Sequence, residues 1–93
     1  MLPTNRTTTH PGEILLLEFL EPMEVSQSKF ARHLGVPIQR INELVKGKRG
    51  ITPETAWLLS ASLGTTPEFW MNLQVNYELT SLDPPKGIKR LVA

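Results

Sequence analysis

The chain of 93 residues contains no cysteine. That absence removes disulfides, thiolate nucleophiles and thiolate metal ligands together, and it suits a reducing, cytosolic setting. Histidine is nearly as scarce, with His10 and His33 the only two. Neither has a second ligand, or a base and an orienting group, at the spacing that a metal centre or a hydrolytic site requires. Both read as surface or capping residues, so an enzyme and a bound cofactor or metal are not expected. Long apolar runs are missing as well. No stretch approaches the roughly 20 apolar residues that span a bilayer, and the opening "MLPTNRTTTH" lacks the apolar core of a signal peptide. A soluble, cytoplasmic protein with no membrane partner is expected. No segment alternates apolar and polar residues with period two, which leaves no sheet of consequence.

Charge is present, and it is segregated. The net charge is only +1. Yet residues 26–50 hold Lys29, Arg32, Arg40, Lys46, Lys48 and Arg49 against Glu43 alone, while residues 51–79 hold Glu54, Glu68 and Glu78 and no base. A basic block between acidic flanks is the pattern of a one-sided surface for a polyanion.

Punctuation marks five helical segments. "HPGEILLLEFLEP" has Pro11 in its first turn and stops by Pro22, a helix start and stop of the usual kind. "SQSKFARHLG" runs from a Ser26 cap to a left-handed stop at Gly35, and "PIQRINELVKGK" runs from Pro37 to Gly47. Thr52-Pro53-Glu54 and Thr66-Pro67-Glu68 repeat one start: a hydroxyl cap, proline at the first helical position, a carboxylate in the first turn. They predict helices over about 52–63 and 66–79, the first closed by Gly64. Spacing at i, i+3, i+4 nominates the core: Ile14, Leu15, Phe19, Leu20, Phe30, Leu34, Ile41, Leu44, Val45, Ala56, Leu59, Leu63, Phe69, Trp70 and Leu73. Helical spacing also assigns Trp57 to core packing. The short link between Gly35 and Pro37 forces two helices to cross steeply, as in a helix-turn-helix.

A recognition helix needs polar groups opposite its core face, and Gln39, Arg40, Asn42, Glu43 and Lys46 are available there. Gln39 suits adenine, and Arg40 suits guanine or a phosphate. Ser26 and Ser28 offer donors at the start of the preceding helix, where anions bind. Lys48 and Arg49, in the glycine-flanked "KGKRG", suit the sugar-phosphate backbone.

The stretch "SQSKFARHLGVPIQRINELVKGKRGITPETA" resembles the helix-turn-helix of the phage-repressor (XRE) superfamily. Together with "HPGEIL", "LGTTPEFW" and "NLQVNYEL", it is similar to the HigA, or VapI-like, antitoxins over about residues 10–79. The resemblance implies an all-α, five-helix lambda-repressor-like DNA-binding domain at 11–79, with the helix-turn-helix at about 26–46. Residues 1–10 would be a flexible arm and 80–93 a tail. It implies that Gln27 contacts the phosphate backbone and braces the recognition helix. It also implies two protein partners: a second copy, and a small ribosome-dependent mRNA-cleaving toxin of the HigB or RelE-like kind, with repression at an operator palindrome. A free-standing XRE-type regulator with no toxin is the alternative.

Two departures from the pattern matter. Ile38 stands where many relatives carry a polar or basic group, so one possible base hydrogen bond gives way to an apolar group that could touch a thymine methyl. Leu20 and Val45 stand where many phage repressors have a buried Arg and Glu pair.

Two apolar surplus groups remain. Leu16 and Leu17 exceed the core stripe of the first helix and are candidates for toxin contact, with the arm and the tail "KGIKRLVA" as competing grips. On the fifth helix Phe69, Trp70, Leu73 and Tyr77 share one side, and at about 100° per residue Met71, Val75 and Leu79 fall nearly opposite. That second stripe is the candidate dimer interface.

Overall fold

The computed structural model describes residues 9–92. Among them are five helices and no strand, and no helix is long and apolar enough to cross a membrane. Of the expected N-terminal arm, all but Thr9 and His10 lies outside the described residues.

Helix α1 (Pro11–Ile14) starts under His10, whose Nδ1 accepts from the Gly12 N–H at 2.9 Å. It continues without a break as a π-helical stretch, Leu15–Leu20, where the Glu21 N–H reaches back five residues to the Leu16 carbonyl at 2.9 Å. An α-helix would place residues five apart on different faces. The wider turn lets Leu15 and Leu20, 0% and 1% exposed, share the core. Leu16, set outside the core stripe in the sequence reading, is half-buried and packs against the core. Leu17 remains exposed.

Helices α2 (Gln27–Leu34) and α3 (Ile38–Val45) form the tight pair. Ser26 Oγ caps α2 by accepting from the Lys29 N–H at 3.0 Å, and Gly35 ends it in the left-handed region at φ 74°. Helices α4 (Pro53–Leu63) and α5 (Pro67–Thr80) begin on the repeated cap: Thr52 accepts from Thr55 N–H at 3.3 Å, and Thr66 from Phe69 N–H at 3.1 Å.

The core joins Leu15 and Leu20 to Phe30, Ile41, Leu44, Ala56, Leu59 and a fully buried Trp70. Trp70 Nε1 donates to Thr65 Oγ1 at 2.7 Å, so its single polar atom is satisfied. Ala31 and Ile51 join this core without having been marked by spacing. Three expectations change. Phe69 is 39% exposed and meets the core only by its edge, packing on Trp70 and Phe19. Trp57 is 65% exposed, because α4 buries Thr55, Ala56, Leu59 and Ser60 and leaves residue 57 on the opposite side. Met71 is half-buried and packs against the core, so of the second α5 stripe only Val75 and Leu79 stand clear.

One contact sets how α1 lies on α3. A Cβ added at Gly12 would fall 1.6 Å from the Leu44 carbonyl oxygen and 2.4 Å from its carbon. Both are backbone atoms, so no rotamer change can make room. Gly12→Ala is therefore expected to cost at least the roughly 1–3 kcal/mol of an overpacked core. Thermal unfolding followed by circular dichroism checks this: each kcal/mol lowers Tm by about 4–8 °C in a domain of this size.

Candidate nucleic-acid interface

Helix α3 buries Ile41 and Leu44. The side turned away carries Gln39, exposed, with Asn42 and Glu43 half-buried and Lys46 exposed at the end. Ile38 adds an exposed apolar group at the first turn, 47% accessible. This is a polar stripe with one methyl-bearing edge. The first turn of α2 brings Ser26, Gln27 and Ser28, of which Gln27 is half-buried and the two serines are exposed. Ser26 Oγ already accepts from the backbone, which leaves its hydroxyl proton as a donor.

Two of the basic groups are not free. Arg40 turns away from the stripe toward α4, where Nη2 donates to Glu54 Oε1 at 2.7 Å and to Thr55 Oγ1 at 2.9 Å. Its side chain is only 20% exposed. The sequence placed Arg40 among the groups aimed at the groove, and its α4 partners make it a brace between α3 and α4. Arg49 folds back on α3: Nε and Nη2 both donate to Glu43 Oε1, at 3.0 and 2.8 Å. Lys46 and Lys48 are exposed and form no ion pair among the described residues.

The loop that carries Lys48 and Arg49 is anchored by a residue that the sequence did not single out. Gln74 of α5 is 6% exposed; its Oε1 accepts from the Ile51 N–H at 2.7 Å, and its Nε2 donates to Glu78 Oε2 at 2.8 Å. Gly50 lies against it, with 3.0 Å between a hypothetical Cβ and the amide nitrogen. The one sequence sign of this was a polar residue between Leu73 and Tyr77 on a helix otherwise turned inward there.

His10 closes the other end. Its ring meets Tyr77 edge-on at 4.8 Å and lines a cleft with Glu13, Val45, Lys46, Gly47 and Tyr77.

Residues 16–70 match the helix-turn-helix family, and the chain belongs to it. The virulence-associated protein I of Dichelobacter nodosus is 43% identical over 77 residues, covering 83% of this chain and 71% of the relative. Antitoxin HigA-1 of Vibrio cholerae is 40% identical over 74 residues, covering 80% of this chain and 70% of the relative. The antitoxin GraA, solved in complex with its operator, superimposes with a TM-score of 0.87 at 36% identity over 100% of both chains. Within the helix-turn-helix proteins, then, this chain groups with the HigA-type, VapI-like antitoxins.

The His10 cap carries a pH signature. Burial holds its pKa below the ordinary 6.5, partly opposed by the negative Glu13, and its Nδ1 must be unprotonated to accept from Gly12 N–H. The unfolded chain binds this proton more readily than the folded one. The contribution is therefore fully present above pH 6.5 and is lost as the pH falls through the lower, folded value. Tm measured across this range is expected to drop on acidification, and to drop less in His10→Asn, which keeps a side-chain acceptor for the cap but cannot titrate.

Proposed function

We propose that the protein is a type II antitoxin: a homodimer that binds an operator palindrome to repress its own operon and that holds and neutralises a HigB- or RelE-like mRNA-cleaving toxin. It acts by binding, without catalysis, in the cytoplasm. The observation that carries the DNA half is the outward α3 stripe of exposed Gln39 and Lys46 and half-buried Asn42 and Glu43, beside Lys48, which has no ion-pair partner among the described residues. In this reading Ser26, Gln27 and Ser28 meet the phosphate backbone at the start of α2, Lys46, Lys48 and Arg49 meet it beyond α3, and Ile38 touches a thymine methyl. DNA binding is assigned to residues 11–79. The arm 1–10 and the tail 80–93, the latter carrying exposed Leu82, Ile88, Leu91 and Val92, remain available to the toxin together with Leu17. Leu16 contributes to that contact only by supporting Leu17 from the core side. Relatives named as antitoxins favour this over a free-standing regulator. Co-purification with the product of a neighbouring reading frame decides between the two.

If each protomer neutralises about three to five phosphates, a dimer should lose affinity with a log-log salt slope of roughly −5 to −9. Titration of an operator duplex at several salt concentrations measures it. Lys48→Ala is expected to weaken operator and random duplexes alike and to flatten the slope by about 1 per protomer. Gln39→Ala should instead reduce discrimination by about 1–3 kcal/mol. Equal loss on both duplexes for Gln39→Ala would reject its role as a base reader.

For the dimer, we propose that Val75 and Leu79, 45% and 63% exposed, meet their symmetry mates, with Met71 at the inner edge. Exposed Trp57 stands beside Met71 in a cleft with Pro53, Ala56, Pro67, Glu68 and Asn72, which widens the apolar face well beyond one helix. A two-fold axis here sets the recognition helices one DNA turn apart, roughly 34 Å. Val75→Glu places like charges across that axis. It should sediment as a folded monomer with weakened operator affinity; an intact dimer at micromolar concentration would put the interface elsewhere.

A further inference from the structure

Glu43 poses a problem that the DNA-binding reading leaves open. It is the one acid in the basic block of residues 26–50. It sits in the α3 stripe between Gln39 and Lys46, and its side chain is only 32% exposed. A carboxylate there repels phosphate on every sequence the protein meets. Its partner is no bystander either. Arg49 gives it both Nε and Nη2, the fork that a guanidinium would otherwise present to a phosphate.

The other paired arginine marks the contrast. Arg40 is 20% exposed, has a second acceptor in the buried Thr55, and its carboxylate partner Glu54 lies on α4, away from the stripe. That pair joins two helices. The Arg49 side chain is 46% exposed, has no acceptor besides Glu43 among the described residues, and pairs within the DNA-facing surface itself. Arg49 follows the left-handed Gly47, at φ 75°, in an exposed loop, so it can swing off the helix without disturbing the core.

We propose that Glu43 is a specificity-determining residue that acts through Arg49. It serves as an internal phosphate surrogate, occupying the guanidinium until a duplex displaces it. The inference rests on the reading of α3 as a DNA-recognition helix. On random DNA the exchange yields little: Arg49 trades one oxyanion for another, and the released carboxylate is left facing a polyanion. On the operator the released carboxylate can accept from a cytosine amine in the major groove. Both halves of the broken pair then regain partners. Non-specific affinity, which comes almost wholly from phosphate contacts, is thus held down more than specific affinity.

The test uses the full chain with Glu43→Gln, Arg49→Ala and the double variant. The probes are the duplex that wild-type protein selects from a randomised library and a scrambled duplex of equal length and composition. Glu43→Gln should bind the scrambled duplex about twofold to fivefold more tightly, the range that release of an exposed ion pair supports. The operator-to-scrambled ratio should fall by at least that factor. In the Arg49→Ala background the same substitution should raise scrambled binding by a clearly smaller factor, because only the bare repulsion of the carboxylate is then removed. Without DNA, the Arg49 Nε–Hε resonance should shift in Glu43→Gln, because its acceptor has lost its charge. Three results would each overturn the proposal: unchanged scrambled affinity in Glu43→Gln, an equal rise in the Arg49→Ala background, which makes Glu43 a bare repelling charge, or loss of operator affinity alone, which makes it a base reader only. Failure of the DNA reading itself shows separately, as wild-type protein that selects no duplex.

Discussion

The pose of α3 depends on a missing methyl group. Gly12 lets the backbone of α1 rest on the Leu44 carbonyl, and at that distance no residue with a Cβ can substitute without moving one helix off the other. Because α1 begins at this point under the His10 cap, the closest approach coincides with the helix start. Two further ties complete the clamp. Arg40 fastens the middle of α3 to Glu54 and Thr55 on α4. Gln74 fastens the outgoing chain at Ile51 to α5. A helix tied on two sides, with the chain that leaves it fixed to a third helix, has little freedom to rock.

Polarity is partitioned along the same lines. Trp70 gives its only donor to Thr65 and Gln74 uses both ends of its amide; among the described residues no buried side-chain nitrogen or oxygen lacks a partner. Unpaired polar groups in a small core each cost about 1–3 kcal/mol, a large share of the stability of a domain this size. The surface is where unspent charge remains, at Lys46 and Lys48, next to the α3 stripe.

What could be read in the sequence was local. Thr52-Pro53-Glu54 and Thr66-Pro67-Glu68 located two helix starts because a cap, a fixed φ and a carboxylate act within one turn. Ile41 and Leu44 located the inner face of α3 because the helix has one apolar side. What depended on partners distant in sequence was not legible. Arg40 looks like a groove residue until Glu54, fourteen positions on, claims it. Gln74 looks like an ordinary polar residue of a surface helix until the Ile51 N–H, twenty-three positions back, needs an acceptor. Leu16 was legible: at about 100° per residue it falls between Phe19 and Leu20, and it packs against the core as that position requires. Helices α4 and α5 carry apolar groups on more than one side, and there periodicity could not tell the covered Met71 from the bare Trp57 and the half-covered Phe69.

The two tryptophans differ as sharply as two can in one chain: Trp70 is wholly enclosed and Trp57 is 65% open to solvent. Indole fluorescence responds to polarity and to nearby quenchers, so the pair amounts to a built-in set of optical probes with separate reporting duties. Emission from Trp70 follows the integrity of the core, while Trp57, on the α4 surface beside Met71, follows whatever covers that surface. Replacing either indole with phenylalanine would leave a single-colour sensor already at the right address, with no label to attach.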